Sequence, residues 1–330
     1  MGMATVAAED DNRVQEKAKQ KLDYVQGFIR SLETALKDDT AEDRAWLQAV
    51  ISPSDTCGVT LTKLAIESKY QSYVSLRCAT MRAVQLLIRI STLFISRGAT
   101  EDHNIGIAIF LQLVGRELAD EAFTEVKALA KGAEPNLGCN AILFLVELGP
   151  DAFVLSDFPD VMVAYLDLFV ALPSRADDLV EVALRVHAWS GERRAELLGA
   201  AVRHIGGQML CEVLLQVINR GLDERPLRAL KVLAGCLAIG GSESLLYTND
   251  IRVLVEILLR ELPVHAKNAT AFACHADCYK ALVRRCEAAR THRRDEIVQV
   301  LEDLRDYESC DPKVRQHCSE ALAVLASLCR

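Results

Sequence analysis

Leu245-Leu246-Tyr247-Thr248-Asn249-Asp250 runs directly into Ile251-Arg252-Val253-Leu254-Val255-Glu256-Ile257-Leu258-Leu259-Arg260-Glu261-Leu262. Thr248, Asn249 and Asp250 carry side chains that can accept hydrogen bonds from the free N–H groups at a helix start. Asp250 also places negative charge at the positive end of the helix dipole. Behind them, Ile251, Leu254, Val255, Leu258 and Leu262 fall on one stripe at helical spacing. Arg252, Glu256 and Arg260 line the other side at i, i+4 steps, where opposite charges support each other by roughly 0.2–0.5 kcal/mol a pair. Pro263 is expected to stop the helix.

The same grammar repeats along the chain. Residues 1–12 are small and acidic and suggest a disordered tail, followed by a single body over residues 13–330. A first helix is expected from near Asn12 to Lys37, its apolar face marked by Val14, Ala18, Leu22, Val25, Ile29, Leu32 and Leu36. A short helix follows around Trp46 and Val50, then a turn at Ser52-Pro53-Ser54-Asp55. Further helices are expected at about 57–70 and 72–96, the second burying Ala83, Leu86, Leu87, Ile90 and Leu93.

From Thr100 the pattern becomes helix–turn–helix, at about 102–115, 118–131, 136–148, 159–171, 175–189, 191–203, 207–219 and 224–239. Breakers separate these segments: Gly149-Pro150-Asp151, Pro173-Ser174, Ser190-Gly191, Gly206-Gly207 and Gly240-Gly241-Ser242. The remaining helices are expected at about 249–262, 269–290, 292–307 and 311–329, with Asp311-Pro312 a good helix entry. No period-two strand pattern persists. The spacing predicts an all-α fold, an armadillo/HEAT-like helical solenoid.

Composition narrows the functions. Apolar residues make up 51% of 330 residues, enough for an extended core, but aromatics only 5%, so Leu, Val, Ala and Ile must fill it. The net charge of -8 argues against a general nucleic-acid binder. No apolar run is long enough to insert into a membrane, and the acidic N-terminus lacks the basic region of a signal peptide. Eleven scattered cysteines, many on apolar stripes (Cys236, Cys318, Cys329), suggest reduced thiols in a cytoplasmic protein.

Reaction chemistry is not legible. There is no phosphate-cradling glycine loop, no His-Glu-x-x-His and no Gly-x-Ser-x-Gly. Cys274-His275-Ala276-Asp277-Cys278 hints at metal, but no second Cys or His pair stands at zinc-finger spacing, and Cys274 and Cys278 share a face where core residues go. His292-Arg293-Arg294-Asp295 lacks every companion of a kinase catalytic loop, and lone histidines such as His187 and His204 are expected at the edge of the core or on the surface. The expectation is a protein with no catalytic residues, metal or cofactor. The basic cluster Arg284, Arg285, Arg290, His292, Arg293 and Arg294 is read as a solvated helix corner or as a contact for an acidic partner surface.

Beyond periodicity, the wording itself is informative. The Tyr247-Thr248-Asn249-Asp250 start, the helix that ends Arg260-Glu261-Leu262, Glu212-Val213-Leu214-Leu215, the Leu215 to Arg220 segment and Leu230-Lys231-Val232-Leu233 resemble the leucine-rich domain of the WISH/DIP/SPIN family. The resemblance is clearest over 211–262 and fainter to about 307. Animal members carry an SH3 domain and proline-rich segments ahead of this domain; this sequence is closer to the compact fungal form. The resemblance implies an armadillo-like domain that binds the actin-related-protein 2/3 complex, and through it actin, and activates that complex without a preformed filament, seeding linear filaments. It further implies a place in the actin cytoskeleton at the cell cortex. Contact residues do not follow from the motif; the exposed polar positions Asn219, Arg220, Asn249, Arg252, Glu256 and Arg260 are the candidates. The alternatives are a generic armadillo/HEAT adaptor unrelated to actin, and a helical domain with a Cys/His metal site.

Overall fold

The computed structural model describes residues 2–38, 40–50, 74–96, 134–150, 158–189, 191–220 and 224–328, with isolated positions at 61, 122, 124 and 126. The helices expected at 57–70, 102–115 and 118–131, the turn at 52–55, and Cys329 lie outside them, apart from those isolated positions. The described residues are helical with short connections and contain no strand, so the fold is all-α. The helices are α1 (Gly2–Asp38), α2 (Ala41–Val50), α3 (Val74–Ser96), α4 (Pro135–Leu148), α5 (Phe158–Ala171), α6 (Ala176–Ala188) and α7 (Glu192–Arg203). There follow α8 (Ile205–Arg220), α9 (Arg225–Ala238), α10 (Thr248–Val264), α11 (Ala269–Arg285), α12 (Glu287–Thr291), α13 (Arg294–Asp306) and α14 (Pro312–Ser327). The chain divides into two compact units, Met1–Tyr165 and Leu166–Arg330, the division falling within α5.

In the first unit, α1 packs on α2 and α3, and α3 on α4. Helix α1 begins at Gly2, well ahead of the expected start near Asn12. Ala4, Ala7 and Ala8 favour this, since alanine has the highest helix propensity of any residue. Ala18, Val25 and Leu32 are buried at seven-residue steps, which keeps one seam of α1 against its neighbours. Phe28 meets Trp46 of α2 edge to face at 6.4 Å. Arg82 of α3 reaches Glu33 of α1 at 3.2 Å, and the Asn140 side-chain amide of α4 donates to the Cys78 carbonyl at 3.0 Å. Helix α4 starts as its sequence demands: Pro135 takes the first turn and the Glu134 carboxylate accepts from the Asn136 N–H.

The second unit is a stack of helices. Helix α9 packs on α6, α7, α8 and α11; α11 packs on α10 and α14; and α13 packs on α14. The stripe Ile251, Leu254, Val255, Leu258 and Leu262 of α10 is buried as its spacing predicts. At about 1.5–3 kcal/mol per fully buried side chain, it contributes on the order of 10 kcal/mol before ordering entropy is subtracted. Cysteines fill the same role: Cys211 of α8 and Cys236 of α9 are fully buried and in contact, and that hydrogen bond together with burial pushes the Cys211 thiol well up. Lys280 of α11 bonds Asp277 at 2.8 Å and Glu320 of α14 at 2.7 Å, tying the two helices at their rim.

Three local expectations change. Tyr247, not Thr248, Asn249 or Asp250, is the N-cap of α10, and its side chain makes no capping bond. Asp250 sits in the first turn, where its charge still complements the dipole. Pro263 does not end α10: the helix continues to Val264, because a proline in the last turn removes only one ladder bond. The expected helix at 269–290 breaks at Cys286, whose backbone is extended (φ -115°, ψ 118°), giving α11 and the single-turn α12. Elsewhere Asp311 caps α14 as expected, accepting from the Lys313 N–H at 2.8 Å with Pro312 at the first position.

Candidate functional site

Two surface depressions lie in the second unit, both framed by α10. The first has a volume of about 520 Å³ and is lined by Asn219 at the end of α8, by Val253, Glu256, Ile257, Leu259 and Arg260 of α10, and by Arg293. Helical spacing explains the lining: 253, 256, 257 and 260 follow one edge of α10, beside its buried stripe. Ile257 is the buried floor, and Val253 is exposed at the rim.

The charges of this groove are fixed by neighbours. Glu256 does not pair with Arg252 or Arg260 as the i, i+4 spacing suggested. Its Oε1 instead lies 3.1 Å from His292 Nε2, joining α10 to the turn between α12 and α13. Arg260 turns to Glu261 at 2.7 Å. Glu261 also lies 3.6 Å from His265, whose ring stacks on buried His275 at 4.8 Å. Arg293, the N-cap of α13, is held at φ 53°, the one non-glycine residue with positive φ among the described residues. Such a conformation is uncommon outside glycine. Its guanidinium grips Glu296 through two hydrogen bonds, which raise the arginine's pKa and lower the carboxylate's. The result is an open groove with one anion and two cations on a short apolar floor. Such side chains can form charge-assisted hydrogen bonds with polar groups that enter the groove.

The structure therefore brings Asn219, Glu256 and Arg260 together. Arg220, at the last position of α8, and Asn249 and Arg252, in the first turns of α10, are exposed but do not line the groove. Val253 and Arg293 were not among the candidates. Val253 was legible as an apolar residue off the expected stripe, like Ile257 and Leu259 that line the groove with it, and Arg293 stood in the basic cluster. Most of that cluster is engaged within the fold. Arg290 bonds the Val283 and Arg284 carbonyls, capping the end of α11, and Arg285 reaches the Ala238 carbonyl and Glu243.

The second depression, about 510 Å³, lies at the opposite end of α10. Val202, Arg203, His204, Ile205 and Gln208 from the α7–α8 corner line it, with Ser244, Leu245, Leu246, Tyr247 and Thr248 from the entry to α10. The corner is held by backbone packing: a methyl group on Gly206 would sit 2.1 Å from the Leu166 carbonyl oxygen, and one on Gly207 only 1.7 Å from that of Ala201. His204 Nδ1 accepts the Gly206 N–H at 3.1 Å, so its ring proton is on Nε2, which faces Asp167 at 3.2 Å.

The Cys/His segment is directed inward. Cys278 is fully buried, and burial raises its thiol pKa strongly. The half-buried Cys274 Sγ meets the Thr270 carbonyl at 3.2 Å, and His275 Nδ1 lies 2.8 Å from the Ala271 carbonyl. Among the described residues, no group of three or more His, Cys, Asp or Glu side chains is placed to hold a metal ion. None of the described helices is long and apolar enough to cross a membrane.

Comparison with known proteins bears on the same unit. No curated protein is similar enough to the chain to match it. The family model for the SPIN90/Ldb17 leucine-rich domain matches residues 195–297, which run from α7 into α13 and contain both depressions and all six candidate polar residues. Over that segment the chain is similar to the SPIN90/Ldb17 leucine-rich domain, in agreement with the resemblance seen in its sequence.

Proposed function

We propose that this chain binds the actin-related-protein 2/3 complex and activates it without a preformed filament, so that linear actin filaments are seeded, and that it does so as a binding protein with no reaction centre of its own. The observation that carries the reading is the family match over α7–α13, together with the resemblance of the segment from Cys211 to Leu262. The groove lined by Asn219, Glu256, Arg260 and Arg293 is the contact surface, with Arg220, Asn249 and Arg252 at its margins.

The physical requirement is differential binding. A ligand shifts a two-state machine only by the difference in its affinities for the two states. A stack of helices suits this role, because a pre-organised surface loses little ordering entropy on docking. In cells such a protein would work at the actin-rich cortex.

The test is polymerisation of purified actin with the purified complex and no preformed filaments. Acceleration that needs both the complex and this chain supports the proposal. No acceleration, with no binding to the complex at micromolar protein, rejects it and leaves an adaptor for some other protein.

A further inference from the structure

The depression between the α7–α8 corner and the entry to α10 has a lining different from that of the mixed-charge groove. None of its lining residues is acidic. Its apolar members are unusually open: Ile205 is 72% exposed and Tyr247 59%, above the buried Leu245 and Leu246. Its one full cation is exposed Arg203, which meets no acidic partner among the described residues. The guanidinium lies back along its own helix, 3.2 Å from where a methyl group on Gly199 would stand. His204 is already engaged with Asp167 and Gly206. The 17-residue α10 directs its positive end here without a side-chain cap. In a chain of net charge -8, this lining carries one full cation and no anion, with Asp167 beside His204 and Asp250 in the first turn of α10 at its edge.

We propose that this groove docks an acidic peptide segment of a partner protein, with one large apolar side chain seated between Ile205 and Tyr247 and a neighbouring carboxylate on Arg203. Charge complementarity selects this occupant. An open cation paired with an exposed apolar rim favours a carboxylate beside an apolar anchor, and a charge-assisted bond fixes the register. A volume of about 510 Å³ suits an anchor side chain and its neighbours, not a folded domain. The proposal stands apart from the actin reading, since it concerns a different face and needs no actin.

The test is selection of random 12-residue peptides displayed on phage against the whole chain, followed by fluorescence anisotropy with the enriched peptides. The expected winners carry Asp or Glu within a few positions of Leu, Phe or Trp. Their binding should weaken about tenfold or more with Arg203→Gln, and further with Tyr247→Ser added. Both sites are exposed, so circular dichroism should keep the wild-type shape, with Arg203→Gln melting with the wild type and Tyr247→Ser, which places a capping residue at the N-cap of α10, melting at or above it. If a variant does unfold, competition between enriched peptides and their Asp→Asn or Glu→Gln versions on the wild-type chain decides the matter. Enrichment of cationic peptides, equal binding to wild type and variants, indifference to loss of the peptide carboxylate, or no enrichment at all would overturn the proposal.

Discussion

Replacing Gly207 by alanine asks whether the α7–α8 corner is as tight as its backbone implies. The added methyl would stand 1.7 Å from the Ala201 carbonyl oxygen, 2.5 Å from its carbon and 2.8 Å from the Ala201 Cα. Ordinary carbon–oxygen contacts lie beyond 3 Å, so α8 must move by more than 1 Å relative to α7. The obstacle is main chain, which cannot rotate away as a side chain does. The Gly207 N–H also bonds the His204 carbonyl at 2.9 Å, and that bond must stretch as α8 moves. Overpacking of a close-packed interior costs about 1–3 kcal/mol, and backbone obstruction places Gly207→Ala at the upper end. A loss of about 3 kcal/mol corresponds to a melting temperature lower by roughly 6–12 °C in a unit of this size. Gly206→Ala, blocked by the Leu166 carbonyl at 2.1 Å, should behave alike. Two controls isolate the cause. Gly240→Ala meets nothing within 4 Å and should be near neutral. Gly27→Ala, inside α1 with nothing within 4 Å, should stabilise by about 0.5–1 kcal/mol through helix propensity. Differential scanning calorimetry of the four variants decides. A Gly207→Ala protein that melts within a degree of wild type would refute the reasoning.

Other expectations follow from burial, capping and titration. Leu258→Ala removes a fully buried side chain from α10 and should cost about 2–5 kcal/mol in urea unfolding, whereas exposed Arg252→Ala should cost less than about 0.5 kcal/mol. Asp311→Ala deletes the carboxylate that accepts the Lys313 N–H and should cost about 1 kcal/mol. His187 is pushed down to about 4 by burial, and then by Arg194 and Lys231. The unfolded chain therefore binds the extra proton first, so stability is complete above about pH 6.5 and is lost as pH falls towards 4. The ceiling is about 3 kcal/mol, reduced to roughly 1 kcal/mol because the ring is partly exposed. Chemical unfolding of His187→Gln over the same range should show that slope removed; an unchanged slope would assign it elsewhere. Reversing both groove cations with Arg260→Glu and Arg293→Glu should weaken binding to the actin-related-protein 2/3 complex about tenfold while leaving helix content intact, as titration calorimetry and circular dichroism would show.

What the sequence made legible was what depends on neighbours in sequence. Periodic Leu, Val and Ala located most helices, because an amphipathic stripe is a local signal. Asp311-Pro312 could be read as a helix entry from two residues. The misread details depend on contacts made across the fold. Glu256 faces Arg252 and Arg260 on the helical wheel, yet its bond goes to His292, which lies in another turn of chain. Cys286 carries no breaker signature, yet the backbone bends there and Arg290 closes the end of α11. The groove shows the same division. Glu256 and Arg260 were visible as exposed positions of one helix, but that Asn219 and Arg293 join them is set by how α8, α10 and α13 stack. The second depression was not legible in the sequence for a similar reason. Ile205 and Tyr247 are far apart in sequence, and only packing makes them two walls of one groove.

The claim that matters most is that this helical surface switches on an actin-nucleating machine. Fluorescence microscopy of single filaments tests it most directly, with purified actin, the actin-related-protein 2/3 complex and increasing amounts of this chain, and no seeds present. The account predicts that new unbranched filaments rise in number with the chain's concentration and only when the complex is present. A filament count unchanged at micromolar protein, or a rise that does not need the complex, would contradict it.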